Sequence, residues 1–141
     1  MRTPTITQVA VGARATRTRR VEIADIERFT AMTGDRNPLH YDEEAATASR
    51  FGGIIMPGGV TTGLLNALVA EDLPGPGSVF LQVSWEFLAP TRPGDVLTAE
   101  AVVTSVHATK PVCTLHTTIV NQRGDVVLDG SAVVYREPLI R

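Results

Sequence analysis

Asp35 and His40 lie five positions apart in the run Gly34-Asp35-Arg36-Asn37-Pro38-Leu39-His40. A carboxyl and an imidazole at this spacing can exchange protons with one small molecule near neutral pH. The imidazole suits uptake of a proton and the carboxyl its delivery, if the surroundings let it hold one, with shared or reversed roles left open. Pro38 has no N–H to donate and keeps Asn37 out of the helical region. The run therefore reads as a stiff, non-helical connector carrying both side chains. The plain alternatives are a turn, because Asp after Gly and the pair Asn37-Pro38 are common turn material, and a satisfied structural histidine at His40.

A second set of residues lies at Pro57-Gly58-Gly59. Glycines bring no Cβ between backbone and ligand. At the start of a helix their N–H groups are free to meet negative charge growing on an oxygen, and the helix field acts in the same sense. Gly58 is the first candidate for that N–H and Gly59 the second. A tight start to a helix is the structural alternative. Thr62, within the first turns, either faces this site or bonds its own turn.

The elements that must position these groups follow from periodicity. Residues 1–13 read as a loose arm and 14–21 as a first strand. Ile23, Ile26, Phe29 and Thr30 recur at helical spacing, so a helix is predicted over 23–33 with Gly34 as its left-handed terminator. Asp42, Glu43 and Glu44 open a short helix over about 43–49. A helix over 59–71 has almost no charge before Glu71, so protein must largely surround it. Leu73-Pro74-Gly75-Pro76-Gly77 ends it. The period then changes to strands, at 78–88, 96–107, 112–121 and 125–135, joined by turns. In the first of these, Val79, Leu81, Val83, Trp85 and Phe87 fall on one face. The fold class is α+β: an antiparallel meander curled around one apolar helix, in a single domain over 1–141.

Composition narrows the function classes. The 141 residues suffice for one sizeable core, and 13 basic against 15 acidic side chains leave a net charge of −2. No nucleic-acid partner is expected from such a balance. Arg14, Arg17, Arg19 and Arg20 form the one basic cluster, read as a solvated strand face or a patch for a phosphorylated ligand. Cys113 is the only cysteine, so no disulfide framework arises within the chain and a reducing cytoplasm suits it. No apolar stretch is long enough to span a membrane, and no apolar leader is visible. His107 and His116 fit opposite arms of a hairpin without enough further ligands for a metal. Cys113 and Trp85 read as core residues, Trp85 alternatively as a tunnel wall. Arg92 sits in a turn, either solvated or meeting the phosphate end of a ligand.

Phe29-Thr30-x-x-Thr33-Gly34-Asp35-x-Asn37-Pro38-Leu39-His40-x-Asp42 resembles the signature of the MaoC-like, (R)-specific enoyl-CoA hydratases. Arg50-Phe51-Gly52-Gly53, Leu73-Pro74-Gly75-Pro76-Gly77-Ser78, Phe87-Leu88-Ala89-Pro90 and Pro93-Gly94-Asp95 match the same pattern in order. The resemblance implies a hotdog fold, a long helix wrapped by an antiparallel sheet, paired as a homodimer or higher oligomer. It implies hydration of an α,β-unsaturated acyl thioester, or the reverse dehydration to it from an (R)-3-hydroxyacyl thioester. Asp35 and His40 then form the catalytic pair, Asn37 supports their geometry, and a backbone N–H at Gly58 or Gly59 binds the thioester carbonyl. No metal and no cofactor is implied, since CoA or an acyl-carrier protein arrives as part of the substrate. The chain departs from the family pattern at one place. A His-Gly pair is usual where this chain has Pro57-Gly58, and a hydroxyl residue is usual where it has Gly63, beside Thr62. A thioesterase on the same fold and a non-catalytic acyl-binding subunit are the alternative functions.

Overall fold

The computed structural model describes residues 8–139. Strand β1 (Arg14–Arg20) is followed by helices α1 (Ile23–Thr33), α2 (Pro38–Tyr41), α3 (Glu43–Ala48) and α4 (Gly58–Glu71). Strands β2 (Ser78–Phe87), β3 (Val96–Val106), β4 (Val112–Val120) and β5 (Val126–Arg136) complete the chain. All five strands form one antiparallel sheet in the order β1-β3-β4-β5-β2.

Only β3, β4 and β5 form the expected meander. Strand β2 pairs with β5 at the far edge, and the next segment carries the chain back across the sheet. Leu88 N–H donates to Val127 O at 2.9 Å at one end of this segment. Val21 N–H donates to Asp95 O at 2.9 Å at the other, beside β1. Of the supposed loose arm, residues 1–7 lie outside the described residues. Residues 8–13 are fastened: Gly12 N–H donates to Val103 O at 2.8 Å, and Val103 N–H donates to Ala13 O at 2.9 Å.

Helix α4 lies in the concave side of the sheet. Its buried Leu64, Leu65, Leu68 and Val69 join Leu97, Ala99, Ala101, Leu115, Ile119 and Leu128 in one core. Burial of each large side chain contributes about 1.5–3 kcal/mol. The helix is not surrounded on all sides, however. Gly59, Asn66 and Ala70 are exposed, and Thr62 and Gly63 only half-buried, on one stripe.

The expected apolar face of β2 is broken. A register shift between Phe80 and Gln82 leaves Leu81 as an extra residue. Val79 therefore pairs with outward-facing Tyr135, while Val83 and Phe87 pair with core-facing Ala132 and Leu128. Only Phe80 and Trp85 pack on the core from this strand. Their rings meet edge to face at 5.8 Å, and Trp85 Nε1–H donates to Thr117 Oγ1 at 3.0 Å. Val83 and Phe87 stay 45% and 58% exposed despite their inward register. Among the described residues no helix is long and apolar enough to cross a membrane.

Candidate active site

Helix α1 delivers the chain to Asp35. Its N-terminus is closed by a capping box between Glu22 and Asp25. Its C-terminus turns at Gly34, which adopts φ 81° and donates its N–H to Thr30 O at 2.7 Å. Thr30 Oγ1 then donates to Asp35 O at 2.7 Å, and Asp35 N–H donates to Thr33 Oγ1 at 3.1 Å. Two threonines of α1 thus fix the backbone of Asp35.

The run after Asp35 is not a non-helical connector. Pro38 opens the one-turn helix α2, and His40 belongs to it. Pro is well suited to the first helical position, where its missing N–H has no partner to lose. Asn37 is the cap: its Oδ1 accepts the Leu39 N–H at 3.1 Å. Its own N–H donates to Asp35 Oδ1 at 2.9 Å. Asn37 therefore ties the carboxylate to the helix that carries the imidazole.

His40 is 8% exposed. Its Nδ1 lies 2.7 Å from Ile55 O. A carbonyl only accepts, so Nδ1 carries the hydrogen and the neutral ring presents a lone pair at Nε2. Nε2 stands 3.9 Å from Asp35 Oδ2, and the Asp35 side chain is 37% exposed. That separation exceeds a hydrogen bond. It is close to the ~4 Å between two groups that hold one water at ordinary hydrogen-bond length.

The same Ile55 leads to the start of α4. Ile55 N–H donates to Leu39 O at 3.2 Å, and Met56 N–H donates to Thr91 O at 2.7 Å. The segment before Pro57 is thus held between α2 and the segment after β2. Gly58 and Gly59 are exposed, and among the described residues neither N–H has a protein acceptor. Gly59 also has a packing reason, since a Cβ there would clash with the Phe29 ring.

Two cavities flank these first turns. One, of about 450 Å³, is lined by Ile55, Met56, Gly58, Thr61, Phe87 and Leu88 among others. The other, of about 570 Å³, is lined by Phe29, Met32, Gly59, Val60 and Gly63 among others. Asp35 and His40 line neither. Ile55 is the link, because it lines the first cavity and holds His40.

Thr62 lines neither cavity. Its Oγ1 donates to Gly59 O in its own turn at 3.3 Å. The hydroxyls on the first cavity are those of Thr61 and Thr91, and sequence reasoning missed both. Thr61 and Thr91 are both buried, and their Oγ1 atoms are 2.9 Å apart. The missed signal was position, since Thr61 falls one turn after Gly58 on the buried side of α4.

The other candidates resolve into structural roles. Arg92 is half-buried and its guanidinium donates to Phe51 O, so it braces a loop instead of pointing to solvent. Arg17 pairs with Asp72 at 3.0 Å, and Arg19 and Arg28 pair with Asp25 at 2.6 and 2.9 Å. Burial alone would raise the Asp25 carboxyl. The Glu22 N–H and the guanidinium groups of Arg28 and Arg19 outweigh it, and hold Asp25 below the usual range. His107 Nδ1 accepts the N–H groups of Thr109 and Lys110 in a hairpin. His116 Nε2 meets Asp129 Oδ1 at 2.9 Å on the exposed face. Cys113 is buried, and burial pushes its thiol up. Among the described residues no three His, Cys, Asp or Glu side chains gather as a metal site.

The family model for the MaoC like domain matches residues 5–123. The chain belongs to the MaoC-like family. An (R)-specific enoyl-CoA hydratase of Aeromonas caviae is 38% identical over 124 residues, which is 88% of this chain and 92% of that protein. A 3-hydroxybutyryl-CoA dehydratase of Methylorubrum extorquens is 36% identical over 114 residues, 81% of this chain and 72% of that one. The solved (R)-hydratase from A. caviae superposes with a TM-score of 0.86 at 36% identity, covering 92% of this chain and 98% of that one. This MaoC-like chain has the α+β hotdog architecture of those relatives, with the sheet wrapped on α4.

Proposed function

We infer that this MaoC-like chain is an (R)-specific enoyl-CoA hydratase, acting equally in reverse as a 3-hydroxyacyl-thioester dehydratase. The observation that carries the reading is the His40 ring. Its Nδ1–H is committed to Ile55 O, so its Nε2 lone pair is turned toward Asp35 at water-bridging distance. Family membership and the names of the similar proteins supply the reaction class.

In hydration, His40 Nε2 accepts a proton from water while the water oxygen bonds to C3 of the enoyl thioester. The C2=C3 electron pair moves toward the thioester carbonyl, forming an enolate. The Gly58 N–H and the field of α4 stabilise that oxyanion. Asp35 delivers a proton to C2. The imidazolium then returns a proton to the Asp35 carboxylate, so one water is added and both groups are restored. Asn37 positions Asp35 through its N–H. Dehydration runs the same steps backwards.

The acting form is a homodimer joined along β2. That strand is a ten-residue edge, and an uncovered apolar edge invites pairing. Its inward Val83 and Phe87 stay largely exposed, although the Phe87 ring lies against Gly58 at the start of α4. The open stripe of α4 leaves Asn66 and Ala70 exposed on the same concave side. Phe87 and Leu88 also line the first cavity, so a second edge would help enclose it.

Crotonyl-CoA and purified protein test the reading. Loss of the conjugated absorbance with formation of (R)-3-hydroxybutyryl-CoA and no free thiol is the expected result. Thiol release would instead make the chain a thioesterase, and an unchanged substrate would remove the hydratase reading.

A further inference from the structure

Arg50 is the one charged residue lining the cavity that contains Gly58 and Thr61. It is exposed, and among the described residues it has no hydrogen-bond or ion-pair partner in its side chain. The contrast with the second cavity is sharp. There Arg17, Arg19 and Arg28 are already matched by Asp72 and Asp25. Arg50 also follows directly on a fixed point. Ser49 Oγ donates to Ala46 O at 2.5 Å and accepts the Phe51 N–H at 3.2 Å, which holds the backbone on both sides of Arg50. The Arg92 guanidinium donates to Phe51 O and braces the residue that follows Arg50. The rest of the cavity wall offers Phe51, Met56, Phe87, Leu88 and Pro90, which suit an uncharged arm.

An unpaired guanidinium at an otherwise uncharged cavity is matched by a ligand that is neutral along its length and anionic at one end. The carrier of an acyl thioester has that form: a pantetheine arm ending in phosphate. Arg binds phosphate through paired N–H groups, and it cannot lose its charge to escape burial. Resting on the hydratase reading above, we propose that Arg50 binds the phosphate end of the pantetheine arm and so selects carrier-bound thioesters. Gly58 receives the thioester carbonyl at one side of the cavity, and Arg50 holds the distal anion at its rim.

The test measures wild type, Arg50→Lys and Arg50→Ala with free CoA, 4′-phosphopantetheine and pantetheine by calorimetry. It then measures kcat/KM for the crotonyl thioesters of the same three carriers. Arg50→Ala is expected to weaken CoA binding about tenfold, the low end for a hydrogen bond to a charged group. The preference for CoA over pantetheine thioester falls by the same factor, through KM, and Arg50→Lys recovers part of it. Added salt lowers the wild-type preference and leaves that of Arg50→Ala nearly flat. A loss seen with CoA and 4′-phosphopantetheine alike assigns the phosphate shared with a carrier protein. A loss with CoA alone would assign the nucleotide phosphates and overturn the proposal. Unchanged CoA binding in Arg50→Ala, or equal loss for pantetheine, overturns the proposal. Wild-type protein that binds CoA through Arg50 yet hydrates no thioester would overturn the reaction and not the assignment of Arg50.

Discussion

Replacing Gly59 by alanine inserts one methyl group into the contact between α4 and Phe29. The new Cβ would stand about 1 Å inside the 3.4 Å at which ordinary contact begins, against both Cε1 and Cζ of the ring. Phe29 lies on α1 one residue before Thr30, and Thr30 bonds the carbonyl of Asp35. The ring's retreat would therefore be felt at the Asp35 carboxyl. Overpacking of this kind costs about 1–3 kcal/mol. The gain of alanine over glycine in a helix offsets at most ~1 kcal/mol of it. Gly63→Ala, one turn further, is the control in the opposite sense, because nothing lies within 4 Å of the Cβ position there. It should stabilise by about 0.5–1 kcal/mol. Thermal melts give the comparison, at roughly 3 °C per kcal/mol for a chain of this size. Crotonyl-CoA hydration gives the second readout: a 1 Å shift at Asp35 lowers kcat by up to ~100-fold in Gly59→Ala. Gly59→Ala melting at or above wild type, with kcat intact, would refute the packing argument.

Asp25 gives a pH prediction. Its carboxyl is held below the ordinary range in the folded chain. Its contribution to stability is therefore complete above the unfolded pKa of about 4, and is lost as pH falls through the folded value. Asp25→Asn should cost about 1 kcal/mol at pH 7, modest because Arg19 and Arg28 are largely exposed. Denaturant titrations should show that gap closing below about pH 4; a constant gap would remove the ion-pair account. Val83→Lys places a charge on the uncovered side of β2 and should shift the protein from dimer to monomer in sedimentation. A dimer of unchanged strength would place the subunit contact elsewhere.

Most of the fold was legible because its signals are local and repeated. The helix at Ile23–Thr33 and its stop at Gly34 follow from spacing and from a left-handed glycine. Strands β3 to β5 follow from β-branched runs separated by short turns. What sequence could not show depends on distant partners. Pro38 ends one helix and starts another, and only the Asn37 cap decides the second. The bulge at Leu81 reverses the faces of β2, and no residue in that strand announces it. That Asp35 and His40 could lie close together was readable from their spacing. The feature that orients the His40 ring, the Ile55 carbonyl, was not, because any residue supplies a carbonyl. The same holds for Thr61, whose value comes from Thr91 thirty residues away.

The central claim is that Asp35 and His40 act as one unit on water at the enoyl thioester. It is tested most directly by kcat/KM for crotonyl-CoA in Asp35→Asn, His40→Gln and the double variant, each checked for folding. Proton transfer by a positioned side chain is worth about 10²–10⁴-fold. Each single variant should lose that much, and the double variant little more, since groups acting as a unit are not additive. Hydration that survives in both single variants would contradict the account.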